Sequence, residues 1–137
     1  MVTTRVNDSL DKSVNTLLEY EILNSLKEFI GSEPFGQYLS EYLHNTLTNI
    51  DRLGHAIAAE DEERVKQFSH KLKGSAGNIG ALKLSSVCAR MQTMALEDDQ
   101  VGDLRSLFQE IQTAYQETRE VLNVYIDQLE QARVNVG

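Results

Sequence analysis

The residues of this 137-residue chain best suited to chemistry lie in Ser69-His70-Lys71-Leu72-Lys73-Gly74-Ser75-Ala76-Gly77-Asn78-Ile79-Gly80. On a helix advancing about 100° per residue, Val65, Phe68, Leu72, Ala76 and Ile79 fall on one apolar stripe. His70 points roughly 160° from the centre of that stripe, into water. Around it on the exposed side lie Lys66, Gln67, Lys73, Gly74 and Gly77. A glycine inside a helix costs about 1 kcal/mol relative to alanine, and here two of them flank the histidine. The pattern predicts a reactive imidazole kept sterically open, with a cation one turn away. Such a group suits the acceptance and release of something anionic.

The charge distribution narrows the choice of anion. The chain carries 13 basic and 21 acidic residues, a net of −8. Between Arg64 and Leu96 stand Arg64, Lys66, Lys71, Lys73, Lys83 and Arg90, with no Asp or Glu. A basic island in an acidic protein attracts a small anion or an acidic partner surface. The acidic remainder would repel a phosphate backbone, so nucleic acid is excluded and phosphate transfer fits better.

These residues need elements to hold them, and the pattern is helical throughout. Pro34 is the only proline, and β-branched residues never alternate in period-two runs. A short helix is predicted over residues 17–29, ended by Gly31, with Ser32-Glu33-Pro34 as cap and first turn of the next. That second helix covers residues 35–59, with Leu39, Tyr42, Leu43, Leu47, Ile50, Leu53 and Ile57 inward. Asp61 caps the third helix, which carries His70 and stops at Gly80. The fourth, over residues 82–96, buries Leu84, Val87, Cys88, Met91 and Met94. An acidic turn at 97–102 leads to a long helix over residues 103–131, with Leu104, Phe108, Ile111, Tyr115, Leu122, Tyr125 and Leu129 inward. Long amphipathic helices on short loops make antiparallel neighbours. The expected fold is therefore all-α: an antiparallel up-down four-helix bundle with a short extra N-terminal helix. Residues 13–131 form the domain, between loose tails at 1–12 and 132–137.

Length and composition agree with one domain that buries roughly two-thirds of its unfolded surface. The single cysteine, Cys88, cannot form an intrachain disulfide and fits a reducing compartment. The polar opening from Val2 to Asp8 does not read as a secretory signal, and no apolar run approaches the ~20 residues of a membrane span. A cytoplasmic protein, monomeric and not membrane-bound, is expected.

The stretch from Ser69 to Ala81 resembles the active-site signature of histidine-containing phosphotransfer (HPt) domains, and the likeness extends through Val87-Cys88-Ala89-Arg90-Met91-Gln92. His70, Lys73, Gly74, Gly80 and Gln92 stand at the family spacing. The resemblance implies a four-helix bundle that relays a phosphoryl group between aspartates of response-regulator receiver domains, fed by a hybrid sensor histidine kinase. It further implies that His70 is phosphorylated, that Lys73 partners the phosphate, that Gly74 keeps the approach open and that Gln92 orients the imidazole. Gln92 falls about 80° from the centre of its helix's apolar stripe, which lets it face the neighbouring helix. If it accepts a hydrogen bond from Nδ1–H, the tautomer left behind has Nε2 free as nucleophile.

No Gly-rich phosphate loop and no acidic cluster for Mg²⁺ is evident, so any metal comes from the partner, and a carrier without kinase activity, cofactor or resident metal is expected. Glu41-Tyr42-Leu43-His44 matches one limb of a di-iron bundle site, but the second copy is missing. A kinase dimerisation hairpin would place Glu after the histidine with a proline nearby; Lys71 follows His70, and no proline follows Pro34. The competing reading is a non-catalytic helical adaptor that binds receiver domains without being phosphorylated.

Overall fold

A computed structural model describes residues 17–95 and 101–136, which form five helices and no strand. They are α1 (Tyr20–Ile30), α2 (Ser32–Ala58), α3 (Glu62–Ile79), α4 (Leu82–Met94) and α5 (Val101–Val136). The tail expected at 1–12 lies outside the described residues. So do residues 97–100 of the expected acidic turn, whereas Val101 and Gly102 already belong to α5.

The helix boundaries follow from local chemistry. The Asp61 side chain accepts the Arg64 backbone N–H at 3.2 Å, and Glu62 and Glu63 complement the positive end of the α3 dipole. At the other end Gly80 adopts φ 83°, with Gly80 N–H bonded to the Gly77 carbonyl and Ala81 N–H to that of Ala76. That double bond pattern is a Schellman stop, and it requires a left-handed residue that glycine supplies without strain. The α2–α3 junction repeats the pattern with Glu60 at φ 55°: Glu60 N–H reaches Ile57 O, and Asp61 N–H reaches Ala56 O. The start of α2 differs from expectation. Gly31, not Ser32, is the cap residue, and helix begins at Ser32. Pro34 is accommodated in the first turn, where its missing N–H has no intrahelical partner to lose.

Packing places α2 antiparallel to α5 along its whole length. Gly36 lies opposite Leu129, the Tyr115 hydroxyl donates to the Leu43 carbonyl at 2.9 Å, and Gly54 lies against the Phe108 ring. The short α4 runs beside the first half of α5, tied by Lys83–Glu117 at 2.7 Å and Arg90–Glu110 at 3.0 Å. Beyond that point α1 takes over: the Tyr125 hydroxyl donates to Asn24, and its ring stacks on Tyr20. The segment before α1 is fastened to the α3–α4 turn, where Glu19 N–H meets Gly80 O at 2.7 Å and Lys83 N–H meets Leu17 O. The antiparallel bundle with an extra N-terminal helix is thus the observed architecture.

Three details correct the expected core. Leu47 is 43% exposed, and Thr46 with Asn49 is buried instead. On α3, Ser69 is fully buried while Phe68 is half-exposed, because Ser69 stands four residues after Val65 and three before Leu72. On α5, Leu107, Ala114 and Thr118 join Ile111, Tyr115 and Leu122 inside, whereas Leu104, Phe108, Tyr125 and Leu129 pack at the margin. The helix also continues to Val136, past the expected end at 131.

Candidate functional site

The candidate site is built on the α3–α4 antiparallel pair, where the middle of α3 meets the last turn of α4. His70 stands exposed on α3, as its angular position predicts. Gln92, from α4 and half-exposed, brings its amide nitrogen to 3.2 Å from His70 Nδ1. The two are 22 residues apart in sequence and meet only because α4 folds back at Gly80. In this pairing the Gln92 N–H donates to Nδ1 and the ring proton sits on Nε2. The pairing foreseen from the sequence is the reverse, with the amide carbonyl accepting from Nδ1–H. A half-turn of the nearly symmetric carboxamide interconverts the two without moving either helix.

Lys73 lies one turn beyond His70 and is half-buried. Gly74 is exposed, and a methyl group placed on it would meet nothing within 4 Å. The surface beside the imidazole is therefore open to a bulky approaching group. Gly77 behaves differently from the expectation that it serves access. A methyl there would sit 3.7 Å from the Ser85 hydroxyl, so Gly77 faces α4.

Ion pairing sorts the basic island. Arg64 is taken by Asp61, Lys83 by Glu117 and Arg90 by Glu110. Lys66, Lys71 and Lys73 make no ion pair among the described residues, and all three lie on the helix that carries His70. Within the island, the positive charge left without an acidic partner thus lies within one turn of His70 along α3. His44 and His55, the other histidines, lie on α2; His55 Nδ1 bonds the Asp51 carbonyl at 2.8 Å. Among the described residues no three His, Cys, Asp or Glu side chains converge as metal ligands. A cleft of about 740 Å³ lies at the other end of the bundle, lined by Ser32, Gly36, Tyr125 and Leu129. Buried Cys88 has its thiol pushed up to about 12 by desolvation, which makes it core filling and a poor nucleophile.

Sequence reasoning missed Ser85, whose hydroxyl donates to the Lys73 carbonyl at 3.0 Å. The available signal was its place seven residues before Gln92, on the same face of one helix.

Comparison with known proteins gives the family and the fold. The Hpt domain family matches residues 37–132, more than half of the chain, and the chain belongs to that family. Among curated proteins, the sensor protein TorS of Escherichia coli (strain K12) is 28% identical over 79 residues, covering 58% of this chain and 9% of that protein. The chain therefore corresponds to only a small part of that relative. Histidine-containing phosphotransfer protein B from Pseudomonas aeruginosa PAO1 superposes with a TM-score of 0.75 at 19% identity, over 82% of this chain and 96% of that one. A putative histidine-containing phosphotransfer protein from rice gives a TM-score of 0.74 at 16% identity, over 96% of this chain and 98% of its own. At these identities the likeness establishes the shared fold. No helix among the described residues is long and apolar enough to cross a membrane.

Proposed function

We propose that this chain is a phosphorelay carrier that accepts a phosphoryl group on His70 from an aspartyl phosphate of a receiver domain and passes it to the aspartate of another. The observation that carries the reading is an exposed imidazole whose Nδ1 is held at 3.2 Å by a neighbouring helix, beside open ground at Gly74. With the Gln92 carboxamide turned to accept from Nδ1–H, the Nε2 lone pair is free to attack phosphorus in line. The new N–P bond forms as the P–O bond to the donor aspartate breaks, and the electron pair leaves on the restored carboxylate. No proton need move, because Nδ1 keeps its own throughout. Lys73 offsets charge on the phosphoryl oxygens, and Lys66 and Lys71 extend that positive field. The onward step reverses the sequence toward a second aspartate.

The partners that fit are response-regulator receiver domains, with a hybrid sensor histidine kinase as the ultimate donor. The test is incubation with a phosphorylated receiver domain. The reading predicts an acid-labile, base-stable phosphate on the wild-type chain that disappears in His70→Gln. Binding of the receiver with no phosphate transferred would establish the adaptor instead.

A further inference from the structure

Ser85 and Gln92 are two turns apart on α4, so their side chains share one face. On α3, Gly77 follows His70 by the same seven residues. With the helices antiparallel, Gly77 meets Ser85 at one end of this strip and His70 meets Gln92 at the other. Between them, the Ser85 hydroxyl donates to the Lys73 carbonyl at 3.0 Å. That carbonyl lies inside α3 and also serves the helix ladder, so the hydroxyl is an additional donor, not the rescue of an orphaned group.

Both helices otherwise give apolar side chains to the common core, Leu72 and Ala76 from α3 and Leu84, Val87, Cys88 and Met91 from α4. Apolar contact is non-directional and sets axial register weakly. The two ion pairs of α4 reach α5, so the register of α4 against α3 rests on the hydrogen-bonded turn at Gly80 and Ala81, which ties the two helices at one end, and on the bonds made between them beyond it. Among the described residues, the side-chain hydrogen bonds between α3 and α4 are Ser85–Lys73 and Gln92–His70. A slide by the rise of one residue, about 1.5 Å, would carry the 3.2 Å His70–Gln92 contact out of hydrogen-bond range.

We infer that Ser85 is a positioning residue for His70: bonded to the Lys73 carbonyl, it holds, beyond the Gly80 turn, the register of α4 that delivers the Gln92 amide to Nδ1. The kinetic part of this rests on His70 being the phosphoryl acceptor; the structural part does not.

The experiment compares wild type with Ser85→Ala, Ser85→Thr, Gln92→Ala and the Ser85→Ala/Gln92→Ala pair. Imidazole ¹⁵N shifts of His70 are followed through a pH titration, alongside transfer from a phosphorylated receiver domain and thermal unfolding. Ser85→Ala should move the His70 nitrogen shifts toward those of Gln92→Ala and slow transfer by about threefold to tenfold, the scale of one hydrogen bond. Ser85→Thr, which keeps the hydroxyl, should restore both. In the Gln92→Ala background, removing Ser85 should add nothing. The inference is overturned if Ser85→Ala lowers the melting temperature yet leaves the His70 titration as in wild type, or if the two losses multiply. Ser85→Cys, similar in size and a weak donor, replaces the alanine variant in both measurements should that variant not fold, with the same expected shifts. A wild-type chain that takes no phosphate would overturn the phosphorelay reading, while the nitrogen shifts still decide the role of Ser85.

Discussion

His70 owes its exposure to a period: it lies on the far side of α3 from Leu72 and Ala76, which are fully buried. His70→Gln should therefore leave stability within about 0.5 kcal/mol while abolishing phosphate incorporation. Incorporation at the wild-type level would direct attention to His44 or His55. Lys73→Ala and Gln92→Ala separate two kinds of assistance. The first removes a charge, worth about 1 kcal/mol or more once a partner excludes water, so transfer falls about tenfold. Its effect shrinks as salt rises, because Coulomb attraction is screened. The second removes a neutral hydrogen bond of about 1 kcal/mol, and its effect is indifferent to salt. Transfer rates at low and high ionic strength decide between them, and a neutral Lys73→Ala at low salt sinks the electrostatic half of the mechanism. Exposure at His70 and Gly74 was legible from angles alone. The meeting of Gln92 with His70 came from family resemblance, and the sign of Ser85 was limited to its place two turns before Gln92 on one helix face. A hydroxyl that seeks a main-chain carbonyl on another helix depends on register, which side-chain types do not encode.

At the scale of elements, the two junctions that flank α3 use the same hydrogen-bond pattern with different residues. Glu60 holds φ 55° at the α2–α3 turn, where a side chain costs about 1 kcal/mol relative to glycine. Glu60→Gly should accordingly raise stability by about 0.5–1 kcal/mol in urea unfolding, and a loss would mean that the carboxylate has a role of its own. Gly80 is the converse. A methyl there would lie 2.8 Å from the Glu19 carbonyl oxygen and 3.2 Å from Ile22 Cβ, at φ 83°. Gly80→Ala should cost about 2 kcal/mol or more, measured the same way, and a cost under half of that would show that the N-terminal segment is held loosely. The start of α3 at Asp61 and its stop at Gly80 were legible because each rests on one local residue. The start of α2 was not, since Gly31 caps without any side-chain bond and the proline stands one residue further in than the predicted cap implies. The inner face of α5 was read about one position off, because small residues such as Ala114 and polar ones such as Thr118 are buried where helices approach closely, and a search for large apolar residues passes over them.

For the molecule as a whole, alkaline pH is the informative stress. Burial raises the Cys88 thiol to about 12 and moves the Tyr42 phenol upward as well. The sign follows from proton counts. Above an unfolded thiol value near 8.5, the unfolded chain releases a proton that the folded chain retains, so stability falls as pH rises from about 9 to about 12. Cys88 alone contributes a slope of up to about 1.4 kcal/mol per pH unit there. Unfolding of Cys88→Ala across that range should show a shallower fall, and an unchanged slope would assign it to the tyrosines. The division of labour along α5 carries a different consequence, for motion. The His70 half of the bundle packs α4 against α5, whereas the far half relies on α1, joined through Tyr20, Asn24 and the Leu17–Glu19 backbone bonds at the Gly80 turn. Such an appended element opens as its own cooperative unit below the global unfolding free energy. In native-state hydrogen exchange, the amides of α1 should exchange together and early, while those around Leu72 and Met91 wait for global unfolding. Exchange of both groups at one common free energy would mean that α1 is continuous with the core, and that whatever loosens the N-terminal helix also loosens the ground beneath His70.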